Sequence, residues 1–157
     1  MFTSSIKQAA GLEPKITTPD ERQTYDLLFK HNEQSLLQLH DQRLNNIGAL
    51  TYNQDTCERI FALLENALIT SENEWQTIYK AVLLVHTCIM FGSEIAVDKC
   101  IGLGPALYRL RDYNSAIHQK AGVLFNFSGG QDHGGPVRII SFPHHFSFFC
   151  FFCSQYY

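Results

Sequence analysis

Residues 71–97 read SENEWQTIYKAVLLVHTCIMFGSEIAV, and the fold turns on how this stretch is read. Ser71 and Glu74 have the spacing of a capping box, which predicts a helix start, and Gly92 is placed to end it. Between them Trp75, Ile78, Tyr79, Val82, Val85 and Ile89 recur every three or four residues and make one apolar face. From Ala81 to Phe91 nearly every position is apolar, so the back of the helix must be covered as well. The run is short of the roughly 20 apolar residues that a bilayer span requires. A helix covered on both sides belongs in the middle of an all-α stack.

Working outward, Thr18-Pro19-Asp20-Glu21 carries a cap residue, a proline at the first helical position and a glutamate three residues after the cap. Leu28, Phe29, Leu36, Leu37, His40, Leu44 and Ile47 continue an apolar stripe, expected over two helices broken near His31-Asn32. Asp55 and Glu58 are expected to start another, with Cys57, Ile60, Phe61, Leu64 and Leu68 inward. On the other side, Ser93 to Ile101 reads as a short helix stopped by Gly102, Gly104 and Pro105, and Pro105 to Tyr113 as one more. Short connections imply antiparallel neighbours, hence a curved, α-solenoid-like stack of about six to eight helices.

The chain of 157 residues, 45% hydrophobic and 17% charged, suffices for one core. A net charge of −3 gives no global attraction to nucleic acid or anionic lipid, so no nucleic-acid partner is expected and lipid binding requires a local patch. Cys57, Cys88 and Cys100 fall at helical core positions and read as reduced thiols. Residues 1–14 are short, weakly amphipathic and interrupted by Gly11 and Pro14, and so are expected to be flexible in isolation. They lack the apolar stretch of a secretory signal. Residues 139–157 hold six of the twelve phenylalanines and no periodicity with a polar face; they read as an aromatic tail of unclear status.

Catalytic chemistry is hard to find. His86 sits within the apolar run, where a packed core histidine is the ordinary explanation. His144-His145 with Cys150 and Cys153 have the wrong order for common zinc fingers, and Gly129-Gly130 and Gly134-Gly135 lack the Lys-Ser/Thr of a phosphate-binding loop. No enzyme, metal site or cofactor is expected.

Four motifs in order carry a family resemblance. Ala49-Leu50-Thr51-Tyr52-Asn53 is similar to an L-T-Y-N segment, and Trp75 with Ile78-Tyr79-Lys80-Ala81 and Gly92-Ser93-Glu94 to a W-x-x-V-Y-K-A … G-S-E pattern. Leu107-Tyr108-Arg109-Leu110-Arg111-Asp112-Tyr113 resembles the helix that follows. Gly130-Gln131-Asp132-His133-Gly134-Gly135-Pro136-Val137-Arg138 resembles a G-K-D-x-G-x-x-V-R loop. Together these resemble the epsin N-terminal homology (ENTH) domain over residues 15–138, with the likeness ending after the loop. ANTH and VHS modules are related in architecture.

The resemblance implies a non-enzymatic membrane-trafficking module, cytoplasmic and peripheral on the plasma membrane, endosomes or Golgi-derived vesicles, acting in endocytosis or vesicle budding. Its partner would be a phosphoinositide-containing membrane, and beyond that clathrin-coat or SNARE proteins. Carried over residue by residue, the lipid site would use Lys7, Lys30 and Lys80, while Phe2, Ile6 and Leu12 would enter the membrane as the N-terminus folds on a headgroup. Other basic positions of the family are replaced, by Thr77, Ala67 and Asn73, and the first-helix arginine aligns near Phe29, next to Lys30. The chain carries neither D-P-W nor N-P-F, short motifs by which epsins recruit coat proteins. The alternative reading is an ENTH- or VHS-like interaction domain that recognises a trafficking partner without lipid.

Overall fold

The computed structural model describes residues 16–30, 37–69, 75–113 and 135–137. Six α-helices follow one another among them: α1 (Pro19–Phe29), α2 (Gln42–Leu50), α3 (Gln54–Ile69), α4 (Trp75–Phe91), α5 (Glu94–Gly102) and α6 (Gly104–Arg109), with a 3₁₀ turn over Leu110–Asp112. Among the described residues there is no strand, and no helix is long and apolar enough to cross a membrane. The architecture is the expected all-α stack. The capping positions Ser71 and Glu74, the segment 1–14 and the aromatic tail 139–157 lie outside the described residues, as do His144, His145, Cys150 and Cys153.

The central helix is α4, and α1, α2, α3 and α5 all pack on it. Thr77, Ile78, Tyr79 and every residue from Ala81 to Val85 are buried, with Thr87 and Cys88 after them, so both sides are covered as its composition demands. Coverage stops at the last turn, where Met90 and Phe91 are half exposed. Trp75, expected to be largely buried on the apolar face, is partly buried; it packs on the rim and meets the ring of Tyr79 edge-on at 6.5 Å. The first position of a helix lies at the edge of the stack, so neighbouring helices cover only part of the indole.

Polar contacts fix how the helices lie. Lys30, just after α1, meets Lys80 near the start of α4, so these two helices run antiparallel. Thr51, just after α2, meets Ser93, just after α4, so α2 runs parallel to it. Gly48 permits that approach: a methyl group there would stand 3.3 Å from the Thr87 methyl. A Cβ at Gly92 would run into the carbonyl of Cys88, which gives a steric reason for glycine at the end of α4.

Thr51 and Ser93 form the tightest junction. The backbone N–H of Ser93 donates to Thr51 Oγ1 at 2.9 Å, and Ser93 Oγ donates to the Thr51 carbonyl at 2.8 Å. Thr51 Oγ1 in turn donates to Gly48 O at 2.7 Å, and Ser93 Oγ caps α5 by accepting from Ala96 N–H. Both residues are buried, so every one of these groups needs a partner inside the protein. Cys57, Cys88 and Cys100 are free thiols buried nearby in the core. Burial pushes the Cys57 thiol up, and a hydrogen bond with Cys88, then burial, pushes Cys100 up, so both are held as unreactive thiols.

The structure departs from the sequence reading in three places. The α1 stripe does not run on to His40: that residue is exposed, adopts a left-handed φ of 66°, and lays its ring edge-on against Phe91 at 6.2 Å. A residue in that conformation cannot continue a helix, and α2 begins only after Asp41 caps it. Asn53, not Asp55, starts α3, with its Oδ1 accepting from Thr56 N–H. As expected, α5 stops at Gly102 and Pro105 stands in the first turn of α6, where a proline forfeits no helical hydrogen bond. Val137, expected in a loop, lies in a helical stretch at residues 135–137 and is fully buried, so the chain returns to the core there.

Thr18 forms the expected capping box with Glu21. The Glu21 carboxylate accepts from the backbone N–H of Thr17 at 2.8 Å, from the Thr17 hydroxyl and from Thr18 N–H, and Arg59 lies 3.5 Å away. The Thr17 backbone bond foremost, against an opposing effect of burial, holds its carboxyl below the ordinary carboxylate range. Arg43 does the same for Asp41. A depressed folded-state pKa contributes stability that is complete above the unfolded-state value and is lost as pH falls through the folded one. Urea-unfolding stability should therefore decline as pH drops below about 4.5, and Glu21→Gln should flatten that decline while costing about 1 kcal/mol at neutral pH. Thr51→Val, which keeps the side-chain shape but leaves the Ser93 N–H without its acceptor, should cost about 1–3 kcal/mol in the same assay. A neutral result would mean that the junction relaxes onto water.

Candidate phosphoinositide site

The motif Ile78-Tyr79-Lys80 lies in the first two turns of α4, and its two polar side chains reach in different directions for the same purpose. Tyr79 is buried, and its hydroxyl donates to the Leu37 carbonyl at 2.9 Å. Burial raises its phenol pKa, so the proton stays available for that bond. Lys80 Nζ donates to the Lys30 carbonyl at 2.8 Å. Consecutive residues of α4 thus hold the last described residue after α1 and the first described residue before α2.

Lys80 is suited to this place because the C-terminal end of a helix presents unpaired carbonyls and the negative end of its dipole. The α1 terminus ends at Lys30, whose own backbone N–H bonds back to Asp26 O at 3.2 Å. Lys30 is exposed, and its ammonium pairs with Asp26 Oδ2 at 2.9 Å. Two lysines from helices distant in sequence are therefore brought together at one end of the stack. Lys80 also lies one turn into α4, beyond the first amides of that helix.

Of the residues that the sequence assigns to the site, Lys30 and Lys80 meet. Lys7 and the membrane-insertion residues Phe2, Ile6 and Leu12 lie outside the described residues, as does Asn73. Thr77 and Ala67, which stand where the family resemblance puts basic side chains, are buried at 2% and 0% exposure. A charge at either position would be taken into the core, so the register carried over by resemblance does not mark surface positions there. Phe29 packs on the core, and the exposed charge belongs to its neighbour Lys30.

Asp26 is the site residue that sequence reasoning missed. The signal was present as an Asp–Lys pair at i,i+4 on the α1 pattern, a spacing that puts the two side chains side by side. Its other oxygen, Oδ1, is buried and has no hydrogen-bond partner among the described residues. Among the described residues no group of three His, Cys, Asp or Glu side chains could hold a metal ion.

With this geometry in view, the comparisons with known proteins agree on one class. The family model of the ENTH domain matches residues 30–123, more than half of the chain. This chain belongs to the ENTH domain family. A search of curated protein sequences finds no match. Among solved structures, the endocytic adaptor complex AENTH superposes with a TM-score of 0.62 at 19% identity, over 90% of this chain and 86% of that one. The human epsinR ENTH domain gives 0.59 at 20% identity, over 80% and 83%. The ENTH domain of epsin-2 in complex with phosphatidylinositol 4,5-bisphosphate gives 0.62 at 19% identity, over 85% and 84%. At such identities the likeness speaks for the fold.

The two tethers differ in what they expose to test. Tyr79→Phe removes only the hydroxyl from a buried ring and should cost about 1 kcal/mol in equilibrium unfolding, whereas Tyr79→Ala should cost about 3–5 kcal/mol. Equal stability of the native chain and Tyr79→Phe would show that the Leu37 carbonyl finds another donor.

Proposed function

We propose that this ENTH domain is a non-enzymatic docking module for phosphoinositide-bearing membranes, acting in vesicle-mediated transport such as endocytosis or budding. The observation that carries the reading is the meeting of Lys30 and Lys80 at one end of the stack, with Lys80 in the family motif. It is supported by the likeness to an ENTH domain solved with phosphatidylinositol 4,5-bisphosphate. Lys80, whose ammonium lies on the Lys30 carbonyl, and Lys30 put two basic residues at one end of α1, and each basic residue near an anionic surface contributes on the order of 1 kcal/mol. Lys7 would add a third charge, with Phe2, Ile6 and Leu12 entering the acyl boundary. The protein would act as a peripheral module on the cytosolic face of the plasma membrane, endosomes or Golgi-derived vesicles, where clathrin-coat or SNARE proteins are its expected further partners.

A second reading, docking of a trafficking protein without lipid, draws on a different end of the molecule. Met90, Phe91 and Ile95 are exposed apolar side chains at and after the end of α4, and Tyr52, beside the Thr51–Ser93 junction, is 72% exposed. The two readings separate on liposomes. Co-sedimentation with phosphatidylinositol 4,5-bisphosphate vesicles should fall severalfold with Lys80→Glu and with removal of residues 1–14, and should weaken as salt shortens the Debye length below about 8 Å. The same charge reversal on α6, Arg109→Glu, should leave binding unchanged. A native chain that ignores such vesicles would hand the function to the protein-docking reading.

A further inference from the structure

The Lys30–Lys80 site contains its own counter-charge. Resting on the lipid-docking reading above, we propose that Asp26 attenuates the site: its carboxylate, held against Lys30, weakens the pull of the two lysines on a phosphorylated inositol headgroup and so sets how tightly the domain holds a membrane.

Three observations single out Asp26. The first is contact, with Oδ2 standing 2.9 Å from Lys30 Nζ. A headgroup phosphate approaching that ammonium competes with a carboxylate already bonded to it. The second is that Asp26 is poorly served by the fold. Glu21 accepts three hydrogen bonds from Thr17 and Thr18, and Asp41 is engaged by the backbone N–H and the guanidinium of Arg43. Asp26 Oδ1, by contrast, is buried with no hydrogen-bond partner among the described residues. The third is position. Asp26 lies in the last turn of α1, where the helix dipole is negative and a carboxylate is disfavoured. An exposed i,i+4 pair with Lys30 offsets this only modestly.

A carboxylate that serves folding poorly yet touches a cation of the docking site is accounted for by its effect on that site. Lys80 Nζ lies on the carbonyl of Lys30, the residue that Asp26 grips, so the carboxylate and both ammonium groups share one end of α1. Neutralising Asp26 leaves two lysines with no acidic side chain bonded to Lys30. The gain is expected to be about fivefold, the equivalent of roughly 1 kcal/mol per charge near an anionic membrane.

The test compares the full native chain with Asp26→Asn and Asp26→Ala, both first checked for unchanged helical circular dichroism. The probes are phosphatidylcholine vesicles carrying phosphatidylinositol 4,5-bisphosphate and, separately, free inositol trisphosphate. Both variants should bind the vesicles about fivefold more tightly, and the gain should shrink in high salt. Asp55→Asn, the same change of net charge in the first turn of α3, should give no such gain. In a Lys30→Met background the effect of Asp26→Asn should largely disappear, which a merely structural role for Asp26 would not produce. A gain on free inositol trisphosphate as well assigns the effect to the headgroup contact, and a gain on vesicles alone assigns it to the membrane surface; either supports attenuation. Equal vesicle binding by the native chain and the Asp26 variants overturns this proposal alone. Binding by none of them overturns it together with the lipid reading.

Discussion

The structure is governed by the need to keep water away from both sides of α4. A surface helix needs cover on one stripe only, but residues Thr77 to Val85 of α4, apart from Lys80, are buried all round. Four helices are recruited to achieve this, and their directions follow from which end of α4 each one can reach. Burying so many backbone turns leaves few places for polar groups. The polar groups that remain are satisfied locally, as with Thr87, whose hydroxyl donates to the Leu83 carbonyl one turn back.

At the ends of α4 the same constraint yields specific junctions. At its C-terminal end the chain must stop, turn and begin α5 while staying buried, and the Thr51–Ser93 exchange satisfies the turning backbone from a residue 42 positions away. At its N-terminal end Tyr79 and Lys80 perform the corresponding task for the carbonyls of Leu37 and Lys30. Residues of the L-T-Y-N, Y-K-A and G-S-E motifs are therefore structural fasteners before they are anything else. Lys80 tethers α1, and in the proposed function the same ammonium would also meet a headgroup.

This double use explains why so small a net charge is compatible with the proposed docking. The chain is acidic overall, with a net charge of −3. In the proposed function the attraction would come from a few ammonium groups at one end of the stack, and its strength would then depend on close neighbours such as Asp26.

The sequence by itself determined the fold class, because apolar periodicity, capping residues and chain breaks are local properties. The capping box of Thr18 and Glu21, the buried run of α4 and the stop at Gly92 were all legible there. The motifs between Ala49 and Tyr113 also marked the family, whose model matches residues 30–123. Only the tertiary structure decided which end of each helix meets which. It turned His40 out of the apolar stripe, left Trp75 on the rim and sent Thr77 and Ala67 inward, outcomes that depend on what packs on each face rather than on the residue type. The site follows the same division: sequence could name Lys30 and Lys80 one at a time. Their meeting at the carbonyl end of α1, with Asp26 alongside, arises because α1 and α4 run antiparallel, a long-range fact that no local pattern encodes.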